Sequence, residues 1–142
     1  MNHFLQLIIL TSIQQNSNGL GLIANDSVAF MTFLSSTAHS YNLSIGLKNS
    51  LDILPSVSGQ IQFAVNEQCI QYNECSSYDS MIKDGKPVFH IEYASKDMHG
   101  TDAASKSELS DVCSDSKLNT VLKNSNLDGW VEYCNGDTAT TP

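Results

Sequence analysis

The chain has 142 residues and carries Lys+Arg 7 against Asp+Glu 15, a formal net charge of −8. Such an excess of acid excludes a nucleic-acid groove, which needs clustered Lys and Arg against phosphate, and argues against an anionic membrane surface as partner. The length suits one domain with a real core but not a complete (β/α)8 barrel, which needs about 250 residues.

The chain opens with the apolar stretch Phe4–Ile13. It has the length of a signal-peptide h-region, but no Lys or Arg precedes it and no A-x-A site follows. It is too short to span a bilayer as a helix. From the residues alone it reads as a poor signal peptide, a buried strand or a mis-assigned start. Next, Asn25–Tyr41 is helical in pattern. Val28, Met31, Leu34, Ala38 and Tyr41 fall at three- and four-residue steps, with Asn25, Asp26 or Ser27 to cap the start. Leu43–Leu47 reads as a buried strand, followed by a helical turn near Ser50–Leu54 that Pro55 stops. Ile61–Val65 is a second strand running into Asn66-Glu67-Gln68. A helix over Ser77–Lys83 closes at Gly85, and Val88–Tyr93 is a third strand. Ser95–Ser105 reads as a loop, Glu108–Lys117 as a helix, and Thr120–Lys123 as a short further segment. The Thr-rich tail 135–142 is expected to be disordered.

Strands that alternate with helices indicate a parallel sheet of βαβ units. Each strand is a short apolar run, as expected where both faces are covered. Each ends in polar residues: Lys48-Asn49, Asn66-Glu67-Gln68 and Glu92-Tyr93. Chemistry in α/β folds sits at that end of the strands. Glu67 directly follows an apolar run, so desolvation is expected to raise its pKa and suit it to general-acid work. The alternative is a structural carboxylate paired with Lys48. Asn66 and Gln68 offer amides for sugar hydroxyls. Glu92 is a second carboxylate at the same end, facing either the barrel lumen or the helices. Two carboxyls flanking a glycosidic bond are the usual glycosidase pair. Tyr72, Tyr93 and Trp130 can stack on sugar rings, with Trp130 better read as packing. His39 and His90 read as structural histidines, and His99 as a rim residue at most.

There is no G-x-S-x-G elbow, no G-x-G-x-x-G and no P-loop, so neither serine-hydrolase chemistry nor a nucleotide cofactor is expected, and no cofactor is called for. The four cysteines are Cys69, Cys75, Cys113 and Cys134. No C-x-x-C pair and no His at ligand spacing supports a zinc site. Local disulfides Cys69–Cys75 and Cys113–Cys134 are favoured over four free thiols, which places the chain in an oxidising, secreted compartment. Asn25 and Asn42 head Asn-x-Ser glycosylation sequons, and Asn42 is the better placed, in a turn between helix and strand.

The segments LSIGLKNSLDILP (Leu43–Pro55), FAVNEQCIQYNEC (Phe63–Cys75) and GKPVFHIEY (Gly85–Tyr93) resemble glycoside hydrolase family 114 in order and spacing. That family holds endo-α-1,4-polygalactosaminidases, and its fungal members are often described as α-galactosidase-like. The resemblance implies a TIM-barrel fold of which this chain is a truncated, C-terminal part. It implies that Glu67 is a catalytic carboxylate, with Lys48, Asn49, Gln68, Glu92 and Tyr93 in the substrate cleft. It also implies a galactosamine- or galactose-containing polysaccharide as partner, and the acidic charge suits a cationic polymer. The family's other carboxylate sits in a D/E-P-D-N strand end, which by spacing falls near residues 7–10. Here the sequence is Leu7-Ile8-Ile9-Leu10, and the family's pattern resumes from Gln15-Asn16. The expected organisation is therefore a non-matching segment over 1–15, a partial barrel over 16–134 and the tail. The first segment is read as standing in place of the true upstream sequence. Little or no hydrolysis is expected of these residues alone; an inactive remnant or a sugar-binding module is the alternative. An open barrel edge invites self-association.

Overall fold

The computed structural model describes residues 4–5, 21–93, 110–114 and 117–141. The expected loop at 95–105 with His99, and residues 108–109 and 115–116 of the expected helix over 108–117, lie outside the described residues. So do positions 7–10. Residues 110–112 are helical.

The elements run β1 (Phe4–Leu5), α1 (Ala24–Ser40), β2 (Ser44–Lys48), α2 (Leu54–Val57), β3 (Phe63–Glu67), α3 (Asp79–Lys83), β4 (Val88–Tyr93), β5 (Asn119–Lys123), β6 (Trp130–Tyr133) and β7 (Thr138–Thr140). Short 3-10 turns at Ser58–Gln60 and Cys75–Tyr78 follow α2 and precede α3. The strands form one sheet in sequence order; β1 to β5 pair in parallel, and β6 and β7 add on as an antiparallel hairpin. Consecutive parallel neighbours with helices between them are the repeated βαβ unit.

Local chemistry explains the elements. Asp26 in the first turn of α1 accepts the Ile23 N–H at 2.8 Å, so of the three candidate caps it is Asp26 that ties the helix start. Pro55 does not stop a helix as expected. It sits in the first turn of α2, where its missing N–H is an orphan anyway and its fixed φ suits the helix. The second strand begins at Phe63 instead of Ile61, because Gln62 is spent on β2. Its main chain donates to Ile45 O and its Oε1 accepts from Ile45 N, at 2.9 and 3.0 Å.

The tail was expected to be disordered, but it supplies β7. Asn135-Gly136-Asp137 closes a hairpin in which Gly136 has φ 86° and Tyr133 N donates to Asp137 O at 2.9 Å. Thr-rich, β-branched sequence suits a short edge strand. The disulfides form as expected, Cys69–Cys75 and Cys113–Cys134, and no described cysteine is free.

Among the described residues the main core cluster lies on the helix-covered face of the sheet. Met31 and Ala38 of α1, Ile45 and Leu47 of β2, Leu54 and Val57 of α2, Ala64 of β3 and Val88 of β4 pack there with Tyr78 and Met81. The opposite face carries Gly46, Phe63, Val65, Phe89, Ile91 and Val121, fixed by strand alternation and the parallel register. The Phe63 ring lies over Gly46, where an added Cβ would sit 2.2 Å from a ring carbon, and meets Phe89 edge-on at 5.9 Å. Phe89 itself is 47% exposed. Phe63, Val65, Phe89, Ile91 and Val121 line an open hollow of about 440 Å³.

Candidate functional site

Parallel pairing brings the C-terminal ends of β2, β3 and β4 side by side. Alternation puts Lys48, Glu67 and Tyr93 on the open face, at the end of the hollow. Glu67 is the hub. Its Oε2 accepts from Lys48 Nζ, and from Asn49 Nδ2 at 3.2 Å. Its Oε1 accepts from Tyr93 OH at 2.6 Å. Both readings of Glu67 thus share one geometry: the ion pair with Lys48 is made, and the carboxylate still sits at the strand mouth.

The electrostatics correct one expectation. Burial alone would raise the Glu67 pKa. The donors Lys48, Tyr93 and Asn49 together outweigh it and hold the group below its ordinary value. A carboxylate that accepts several hydrogen bonds stays ionised. In this chain Glu67 therefore rests as an anion, not as a loaded proton donor. Burial and the adjoining Glu67 carboxylate push the Tyr93 hydroxyl up, so it remains a donor.

Asn49 occupies the left-handed region, φ 53°, which Asn tolerates better than most residues. Its main-chain N–H donates to Val65 O at 2.8 Å, one step beyond the last ladder pair. Its side chain turns across to β3, where Oδ1 accepts the Glu67 main-chain N–H at 2.9 Å. Gln68 also has positive φ, 66°, and its Nε2 donates to Gln71 Oε1 at 2.6 Å.

Two residues expected in the cleft lie on the other face. Asn66 alternates with Glu67 and is buried behind the sheet. It donates to Tyr78 OH at 3.1 Å and accepts from Cys69 N at 3.0 Å, so its amide fixes the loop after β3 instead of meeting a ligand. Burial raises the pKa of Tyr78 to about 12. Glu92 likewise faces the helices. Its Oε1 accepts from Ile70 N at 2.8 Å and lies 2.8 Å from His90 Nε2, while His90 Nδ1 lies 2.9 Å from Thr120 Oγ1. The cause is the period of two: Glu92 precedes Tyr93, and only one of the pair can point to the open face. His90 is structural as expected.

Side-chain atoms of Cys69, Cys75 and His90 lie within 4.8 Å of one another. The two sulfurs are bonded to each other and both His90 nitrogens are engaged, so the group offers no ligand set as it stands. Asn25 and Asn42 are both exposed, Asn25 in the first turn of α1 and Asn42 in the turn before β2 with φ 55°. Trp130 is buried, a packing residue, and Tyr72 is exposed. The role of Lys123 was not foreseen. It shares the open face and pairs in register with Tyr93, with Nζ donating to Trp130 O at 3.0 Å. Counting alternate residues from Val121 would have placed it.

The open-face strand positions of β2 to β5 are Ser44, Gly46, Lys48, Phe63, Val65, Glu67, Phe89, Ile91, Tyr93, Asn119, Val121 and Lys123. Glu67 is the one carboxylate among them. Among the described residues no helix is long and apolar enough to cross a membrane.

Comparison with known proteins bears on this geometry. The crystal structure of Ega3 from Aspergillus fumigatus in complex with galactosamine is similar, with a TM-score of 0.76 and 50% sequence identity. The match covers 84% of this chain and 49% of that one. The chain thus spans about half the length of its structural relative, and its α/β architecture is that of a partial TIM barrel. No curated protein matches. The family model described as glycoside-hydrolase family GH114 matches residues 5–139, and with that extent of match this chain belongs to family GH114.

Proposed function

We propose that this chain is the C-terminal β/α portion of a hydrolase of α-linked galactosamine or galactose polysaccharides, with Glu67 as one of its two catalytic carboxylates. The observation that carries the reading is the convergence of Lys48, Asn49 and Tyr93 on Glu67 at the strand mouth, in a chain of this family. Lys48 and Tyr93 flank the cleft, and the Gln68 side chain borders it. Glycoside hydrolysis needs a second carboxyl group roughly 5–10 Å away. Glu92, on the far face, does not supply it. A second carboxylate brought to the open face would repel the Glu67 charge and lift its pKa towards that of a proton donor. The half of the barrel not covered by this chain is the natural source.

These residues by themselves therefore hydrolyse little or nothing and at most bind sugar. The test is release of reducing ends from an α-1,4-galactosamine polymer, with Glu67→Gln as control. No release above the control is expected, together with NMR perturbation of Tyr93 and Lys48 by galactosamine oligomers. Robust release abolished by Glu67→Gln would overturn the inactivity. Absence of any binding to galactosamine, N-acetylgalactosamine or galactose oligomers would overturn the substrate class. The galactosamine bound to the similar structure supports that class. Two disulfides fit a secreted or cell-wall setting, where Asn42, exposed in a turn, accepts a glycan. The open apolar face supports self-association of the isolated chain.

A further inference from the structure

The resemblance places Asn49 in the substrate cleft, but the geometry leaves it little to offer a sugar. Its amide nitrogen donates to Glu67 Oε2 at 3.2 Å, and its amide oxygen accepts the Glu67 main-chain N–H at 2.9 Å. That same oxygen also receives Asn66 Nδ2 at 3.5 Å. One side chain thus grips one residue at both its backbone and its carboxylate. The main-chain bond to Val65 and the left-handed φ of 53° aim the side chain across the strand gap.

We propose that Asn49 is a positioning residue: its amide clamps Glu67 between main chain and carboxylate, fixing the direction of that carboxylate at the strand mouth. The proposal rests on reading Glu67 as the catalytic carboxylate, but the clamp itself is tested without hydrolysis. The groups facing Glu67 are the Lys48 ammonium from β2 and the Tyr93 hydroxyl from β4. Neither contact involves Asn49. A carboxylate that loses one of its donors binds its proton more readily.

The experiment is a carboxyl-detected NMR titration of the full, uniformly 13C-labelled chain, with the Glu67 resonance assigned by its loss in Glu67→Gln. Asn49→Gly removes the side chain while keeping the backbone unstrained at positive φ. Its Glu67 midpoint is expected to rise by about 0.5–1 pH unit, on the scale of the net worth of one ordinary hydrogen bond. Should Asn49→Gly fail to fold, Asn49→Asp retains the acceptor for the Glu67 N–H and places a second carboxylate beside Oε2. Its expected rise is larger. A folded variant of either kind in which Glu67 titrates as in the parent chain overturns the proposal. Unchanged Glu67 titration with weakened galactosamine binding would instead make Asn49 a sugar contact. Failure of the hydrolase reading leaves the titration result untouched, so the two fail separately.

Discussion

Glu67 and Glu92 end adjacent parallel strands, yet their carboxylates lie on opposite faces of the sheet, one towards the open hollow and one towards the helices. The separation divides their work. Glu67 is held by Lys48, Asn49 and Tyr93 at a mouth that solvent reaches. Glu92 is 5% exposed and ties the Cys69–Cys75 loop to β4 through the Ile70 N–H and His90.

Glu92→Ala is therefore expected to act on stability and not on the site. It strips the acceptor from a part-buried N–H and from His90, at a cost of about 1–3 kcal/mol. Thermal unfolding reads the loss, and the Glu67 carboxyl titration stays where it is. A shift in that titration would show the two faces to be coupled.

The pH dependence of stability follows from Glu67. Its folded-state pKa lies below the ordinary value of 4.5, so the unfolded chain takes up the proton first as pH falls. The stabilising contribution is complete above that ordinary value and is lost as pH drops through the folded pKa. Denaturant unfolding from pH 6 down to pH 3 is expected to show this acid limb. Glu67→Gln flattens it, whereas an unchanged slope in that variant would assign the limb to other carboxylates.

The covalent links bear on the same loop and on the hairpin. In the chain-entropy account, Cys69–Cys75 contributes about 2 kcal/mol and Cys113–Cys134, closing a longer loop, about 3 kcal/mol. Paired Cys→Ser variants are expected to rank in that order by melting temperature. Loss of Cys69–Cys75 also loosens the segment after Glu67, which amide exchange at Ile70 reports.

Gly46→Ala tests the packing of the open face. The new methyl would meet the Phe63 ring, whose carbons lie 2.2–2.6 Å from its position. The ring must move against Phe89, at a cost of about 1–3 kcal/mol. Full parental stability would show that the ring yields freely into the hollow.

Much of this organisation was legible in the residues. The apolar runs at β2, β3 and β4 and the period of α1 are strong local signals, and the polar ends of those strands located the mouth. Which neighbouring polar residue faces the mouth was not legible, because that depends on register. Asn66 and Glu92 were expected beside Glu67 and lie behind the sheet, each one residue from a position that does face it. The direction of the Glu67 pKa is not legible in the sequence, because burial is visible as an apolar run while three converging donors are a tertiary fact. The β6–β7 hairpin is hard to see in the sequence because its strands are short and its turn signal, Asn135-Gly136-Asp137, lies at the start of a Thr-rich tail.

The open face makes the last prediction. Phe63, Val65, Phe89, Ile91 and Val121 surround the hollow, and Phe89 is 47% exposed. Removing such surface from water is worth about 25 cal/mol per Å², so Phe89, Ile91 and Val121, which keep exposed surface, gain by meeting another apolar face. Sedimentation velocity is expected to show concentration-dependent association of the isolated chain. Phe89→Ser together with Val121→Ser should shift it towards monomer without altering the helix-side core. Neither residue is among the hydrogen-bond partners of Glu67, which are Lys48, Asn49 and Tyr93, so the Glu67 titration serves as the control for an intact site. A chain that stays monomeric at high concentration would overturn the predicted association.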